Sequence, residues 1–227
     1  MLKVELHAHT ASDPCDYVPH STRELIDRAS ALGYDALAVT LHDRYYDPSD
    51  DRDYATGKGV LLIAGVERTV ASRHVLLLNF PGECATVRDL ADIRELKARH
   101  PNGLVVAPHA FYPIGSALGG EVERWSEVID ALEVNSMFTR WLNFNDRAVR
   151  WARAHGKPLV GNTDLHLLAQ MGTTYSLVDA PRDVDAICGA IRAGRVEVRS
   201  TALSSPRAAA FFVLMLAGGV IGRLRKR

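Results

Sequence analysis

Five separate apolar, strand-like runs in this chain each end in a histidine or a carboxylate, and that repetition constrains the fold more than any other feature. "VELHAHT" (4–10) carries His7 and His9, "ALAVT" (36–40) is followed by His42, and "VLLIAG" (60–65) by Glu67. "GLVVAPH" (103–109) ends in His109, and "KPLVGNTDLH" (157–166) in Asp164 and His166. Packing alone does not ask for a polar residue at the same end of five strands. Parallel strands bring their carboxyl ends to one face, and that face is where α/β sheets and barrels bind ligands. Taken alone, the first pair is ambiguous. Alternate side chains of a strand share a face, so Glu5, His7 and His9 lie together, as a chelating pair or as two wet imidazoles.

The segments between these runs read as helices. Ser21 with Glu24 three positions on is a capping-box signature, Leu25, Ile26, Ala29 and Leu32 form an apolar stripe, and Gly33 is a natural stop. Further helices are expected at about 87–99, 145–155 and 184–193, and further strands at 74–80, 131–136, about 175–178 and 195–200. The apolar runs, "HVLLLNF" (74–80) among them, look buried on both faces as in parallel sheets. Alternation of strands and helices with short loops implies a parallel sheet, open or closed into a barrel. A length of 227 residues suits one domain with a sizeable core.

Twenty-seven basic residues balance 27 acidic ones, so charge gives no reason to expect nucleic acid as a partner. Cys15, Cys84 and Cys188 are scattered without C-x-x-C spacing, which argues against a disulfide framework or a thiolate zinc site. Met1 leads straight into the first strand pattern with no secretory leader, so a cytoplasmic location is expected.

Imidazoles and carboxylates without thiolates suit zinc, manganese or iron in an open site. His7/His9 and Asp164/His166 can each present two ligands from one strand end. Together the set exceeds the need of a single four-coordinate ion. A carboxylate such as Glu67 can bridge two ions, and an ion pair can clamp a nucleophile and a phosphoryl or carbonyl oxygen.

The ordered motifs resemble those of the PHP (polymerase and histidinol phosphatase) family from residue 2 to about 200. "LHAHTASD" (6–13), "GYDALAVTLHD" (33–43), "GVERT" (65–69) and "HVLLL" (74–78) look like its first four motifs. "APHAF" (107–111), "EVNS" (133–136) and "GNTDLH" (161–166) look like the later ones. The resemblance implies an α/β fold, a distorted (β/α)7 barrel over residues 1–203, holding two to three divalent ions. By motif position His7, His9, Glu67 and Asp164 would hold the first ion. Glu67, His74 and His109 would hold the second, and Asp13, His42 and His166 the third. Such proteins usually hydrolyse phosphate esters, a metal-bound hydroxide attacking phosphorus. The implied function is hydrolysis of a small phosphomonoester or nucleotide. The alternatives are a nuclease on RNA or DNA ends, an amidohydrolase-type C–N hydrolase, and a non-catalytic metal-stabilised module.

Leu41 departs from the pattern, which usually has aspartate there; Asp43 substitutes only if the loop bends differently. The 34 residues between His74 and His109 leave no room for the helical insertion some relatives carry. Arg44, Arg68 and Arg140 lie near motif ends and are candidate phosphate-binding residues. Glu5, Glu133 and Asn135 are candidates to orient ligand imidazoles or to serve as plain buried hydrogen-bonding groups. His155 reads as a helix C-cap. Residues 204–227 are expected to form an apolar helix with a basic "RLRKR" end. Its apolar run, Ala208–Ile221, covers 14 residues, short of the roughly 20 that span a bilayer. That helix would cover a barrel edge or rest on a membrane surface.

Overall fold

The computed structural model describes residues 1–225; Lys226 and Arg227, the tip of the basic end, lie outside the described residues. In chain order the elements are β1 (Leu2–Glu5), α1 (Thr22–Ala31), β2 (Ala36–Ala38), α2 (Arg52–Gly57), β3 (Leu61–Ile63) and β4 (Gly65–Val70). Then come β5 (Arg73–Leu78), α3 (Leu90–Arg99), β6 (Leu104–Ala107), α4 (Val122–Trp125), β7 (Ala131–Asn135) and α5 (Asn145–Ala154). β8 (Leu159–Asn162), β9 (Thr174–Val178), α6 (Val184–Arg192), β10 (Val196–Ser200) and α7 (Ser205–Arg225) complete the chain. The Ser21–Glu24 capping box starts α1, and His155 closes α5, its ring stacked on Trp151 at 4.0 Å.

The fold is α/β, but its strands form two five-stranded mixed sheets and not a continuous seven-stranded ring. Their orders are β10-β9-β1-β2-β3 and β4-β5-β6-β7-β8. β1, β2 and β3 run parallel, as do β6, β7 and β8. β9 is antiparallel to both β1 and β10, and β5 is antiparallel to both β4 and β6.

The antiparallel β5 departs from the expected parallel strand for two physical reasons. Ala71 and Ser72 take φ of 49° and 64°, a two-residue hairpin turn built without the Gly or Asn that usually marks one. The strand is also buried on both faces. Leu76 and Leu78 join β1, β2 and α6 in the central core, while Val75 and Leu77 pack under α3 and near Trp125. Continuous burial made it look parallel. The remaining layer packs Leu25, Ile26 and Ala29 of α1 on Leu37 and Leu62.

The two sheets meet along two seams. At one, Gly161 of β8 donates its N–H to Ser176 Oγ (2.9 Å) and accepts from it (3.1 Å). Leu165 N–H donates to His7 O (3.1 Å) and His9 N–H to Leu165 O (2.9 Å) just beyond. At the other, Glu67 N–H donates to Leu41 O and Asp43 N–H to Glu67 O (3.1 and 2.9 Å). Both seams therefore close at candidate ligand positions. A Cβ on Gly161 would stand 2.7 Å from Tyr175 O and 2.9 Å from Val198 Cγ1. Gly161→Ala is expected to destabilise the fold by about 1–3 kcal/mol, the usual cost of overpacking. Chemical denaturation should show a lower midpoint at unchanged slope; an unchanged midpoint would mean the seam yields freely.

Candidate metal centre

The strand ends bring all nine sequence-designated residues into one neighbourhood, centred on Glu67. Its carboxylate is 1% exposed, and five imidazoles surround it. Oε1 lies 2.7 Å from His74 Nδ1 and 3.1 Å from His109 Nε2. Oε2 lies 3.3 Å from His7 Nε2, 3.3 Å from His9 Nε2 and 3.2 Å from His42 Nε2. Asp164 Oδ1 adds a second carboxylate, 3.4 Å from His7 Nε2, 3.6 Å from His9 Nε2 and 3.5 Å from His166 Nδ1.

The far sides of the rings fix their protonation. His7 Nδ1 faces Glu133 Oε2 at 2.8 Å, and His9 and His42 Nδ1 face Asp13 Oδ2 at 2.9 and 3.0 Å. Burial pushes the Asp13 carboxyl up, but His42 and His9 outweigh it and hold the group far below the usual carboxylate range. Burial likewise opposes ionisation of Glu67, and His74, His7 and His42 overcome it. Carboxylates only accept, so the Nδ1 atoms donate, and in a neutral ring Nε2 then carries a lone pair. His7 Nε2, His9 Nε2 and Glu67 Oε2 are buried without a hydrogen-bond partner. With the rings neutral, lone pair would face lone pair in this buried space. A proton on Nε2 resolves that: burial opposes it, but the surrounding carboxylates raise His7 and His9 well above the usual imidazole range. A metal cation resolves it too. The carboxylate–imidazole pairs behind the rings are the usual supports of metal-ligating histidines.

Candidate ligand atoms fall within 4.8 Å of one another in four triplets: His7–His9–Glu67, His7–His109–Asp164, His42–Glu67–His74 and His9–His42–His166. The donor set of nitrogen and carboxylate oxygen suits divalent metal ions. His109 and Asp164 hold positive φ of 32° and 54°, strain of order 1–3 kcal/mol each. Glu133 Oε1 helps hold His109 there by accepting its backbone N–H at 3.1 Å.

Several placements differ from the sequence expectations. Asp13, expected beside the third ion, stands behind the rings: its Oδ1 accepts the N–H groups of Cys15 and Asp16, and its Oδ2 takes His9 and His42. Leu41 is buried in the core, and Asp43 turns away to Arg68 and Thr69 instead of replacing the missing aspartate. Asp16 Oδ2 instead lies 3.1 Å from His166 Nε2; its only sequence signal was a second acid after "SDP". Arg44 donates to Ser12 O, Arg68 pairs with Asp43 and Val87 O, and Arg140 stacks on Trp141. None of the three lines the cavity of about 460 Å³ over the cluster; Arg223 of α7 does. Glu133, more than Glu5, orients the ligand rings. Glu5 accepts the backbone N–H groups of His7 and Thr163, and burial raises its carboxyl to about 7. His20 and Gln170 were also missed: His20 Nε2 binds His9 O, and Gln170 Oε1 accepts His166 N–H.

A family model described as PHP-associated matches residues 143–196. Over 162 residues the chain is 28% identical to DNA polymerase III PolC-type from Streptococcus pyogenes, a match covering 70% of this chain and 10% of the polymerase. The chain is similar to PHP proteins over these stretches. A two-domain protein from Bacteroides vulgatus, described as containing a predicted PHP-like metal-dependent phosphoesterase, superposes with a TM-score of 0.66 at 21% identity, over 88% of this chain and 64% of that one. PsfC from Pseudomonas syringae gives 0.66 at 19% identity, over 100% of this chain and 99% of its own.

Asp13→Asn keeps the shape but weakens the support of two imidazoles. We expect metal affinity to fall by about 10- to 100-fold, read by competition with a chelator. Unchanged affinity would remove Asp13 from the account of the site.

Proposed function

We propose that this chain is a phosphoesterase that hydrolyses a small phosphomonoester or nucleotide with two to three divalent ions. The observation that carries the reading is the convergence of unpartnered His7 Nε2, His9 Nε2 and Glu67 Oε2 on one buried space at the floor of an open cavity. His7, His9, Glu67 and Asp164 would hold one ion. Glu67, His74 and His109 would hold a second, and His42 and His166, with Asp16 beside them, a third. Zinc, manganese and iron all suit these donors. When bound, the ions supply an activated water and neutralise charge on the phosphoryl group.

The chain's own groups do the rest. Asp13 and Glu133 keep protons on the Nδ1 atoms, so the Nε2 atoms stay aimed at Glu67. Arg223 is placed to bind phosphoryl oxygens, as a guanidinium does in a charge-assisted pair. The wall that α7 adds to the cavity favours a small ester over a nucleic-acid duplex. No lysine lines the cavity among the described residues, which favours phosphate chemistry over an amidohydrolase with a lysine-borne bridge.

The test is metal analysis of purified protein with a phosphate-release panel of mononucleotides, bisphosphates, sugar phosphates and histidinol phosphate. At least two equivalents of metal are expected, and His9→Ala and Asp164→Ala should abolish turnover. Arg223→Ala should raise KM by about tenfold, the loss of one charge-assisted hydrogen bond. Less than one equivalent of metal, or full activity in the ligand variants, would overturn the proposal.

A further inference from the structure

A second cavity of about 690 Å³ adjoins the metal centre and plays no part in the chemistry above. Its walls are α7 and the loop between β7 and α5, and Tyr112, Phe138, Leu142, Phe144, Phe212 and Met215 supply much of its surface. No lysine or arginine lines it among the described residues. It is continuous with the centre, for His109, Asp164, Ile114, Phe212 and Met215 border both cavities.

The chamber is a built feature. Leu203 N–H donates to Phe138 O at 2.9 Å, tying the start of α7 to the loop. Farther along, Tyr17 N–H donates to Gly218 O at 3.1 Å. A Cβ on Gly218 would lie 2.8 Å from Tyr17 O, and one on Gly222 would collide with Cys15 O. These glycines let the helix lie directly on the loop that follows His9 and Asp13. Arg207 Nη2 also donates to Ala169 O at 2.6 Å. The helix is therefore held as a wall shared by the metal centre and the apolar chamber.

We infer that the chamber receives the alcohol portion of the substrate, so that the ester hydrolysed here is a phosphate carried on a long alkyl or similarly apolar group. This rests on the phosphoesterase reading and names its substrate class. A phosphoryl group at the cluster places its ester oxygen near His109 and Asp164, where the chamber opens. Beyond the site end the lining offers few polar partners, Tyr112, Asn135, Thr139 and Ser205, among mainly apolar side chains. Sugar hydroxyls entering it would lose more hydrogen bonds to water than they regain, whereas a methylene chain loses none. The outer face of α7 exposes Val213, Leu214, Val220 and Leu224, and Trp141 at the chamber rim is 87% exposed. By length and composition Ser205–Leu224 is apolar enough to cross a membrane, with a mean hydropathy of 1.6. The ester can therefore come from solution or from a bilayer surface.

The test uses n-alkylphosphonates from methyl to decyl, which cannot be hydrolysed, titrated calorimetrically into the metal-loaded full chain. Affinity should rise by about threefold per methylene, the value of burying a CH₂, and then level off as the chamber fills. In Ala209→Trp, which fills the chamber from α7, the rise should flatten. Circular dichroism would show whether that variant folds, and the wild-type series stands without it. Equal affinity along the wild-type series overturns the inference. Hydrolysis of the matching alkyl phosphates is followed in parallel. Length-dependent binding without hydrolysis upholds the chamber and sinks the phosphoesterase reading; hydrolysis at a rate blind to chain length does the reverse. Phosphatidate in phosphatidylcholine vesicles, compared with soluble decyl phosphate, separates the sources, and turnover of either supports the chamber.

Discussion

A carboxylate buried at the meeting of two sheets is the group on which the rest of this structure turns. Glu67 has five imidazoles within 3.3 Å of its two oxygens and is almost fully removed from water. An isolated buried carboxylate is costly enough that it normally shifts its pKa and becomes neutral. Here it stays ionised because positive charge on neighbouring rings such as His74 and His7 compensates for lost hydration, and cations held at the Nε2 atoms would supply that charge in the rings' place. Its backbone also closes a seam, giving its N–H to Leu41 and its carbonyl to Asp43. The carboxylate at the middle of the cluster and the backbone that closes the fold thus belong to the same residue.

The second seam repeats the design. His7 and His9 exchange backbone hydrogen bonds with Leu165, which lies between Asp164 and His166. Behind the rings Asp13 and Glu133 set the tautomers, while Glu5 ties the end of β1 to Thr163. Ligand geometry is therefore set by main-chain pairing and by carboxylates one step removed, and the open loops contribute little. Strain at His109 and Asp164 is tolerable in such a frame because neighbouring strands determine both positions.

Ligand-type residues were legible in the sequence because a strand's period and its carboxyl end are local properties, and five strands repeat the signal. What was not legible depends on contacts that no local pattern encodes. The Ala71–Ser72 hairpin lacks turn glycines, so β4 and β5 could not be recognised as antiparallel. The split into two sheets falls between β3 and β4 and between β8 and β9, where side-chain and isolated backbone contacts replace a continuous ladder. Asp13 could be placed near the histidines but not behind them, since which oxygen faces which nitrogen is decided by the turn that gives it the Cys15 and Asp16 N–H groups. That Arg44, Arg68 and Arg140 lie outside the cavity over the cluster has a plainer reason. The chain is rich in arginine, and the one that reaches the cavity sits some 150 residues beyond the motifs' first half, on a helix whose position depends on Gly218 and Gly222. That helix, read from sequence as an edge cover or a membrane contact, walls both cavities.

The space between His7, His9, Glu67 and Asp164 would be a cation site, with Glu67 shared by a second ion. Anomalous diffraction from crystals of the metal-loaded protein measures this directly. The account predicts a peak among those four residues and a second across Glu67 toward His74 and His109. A metal-loaded crystal with no peak in contact with Glu67 would contradict it.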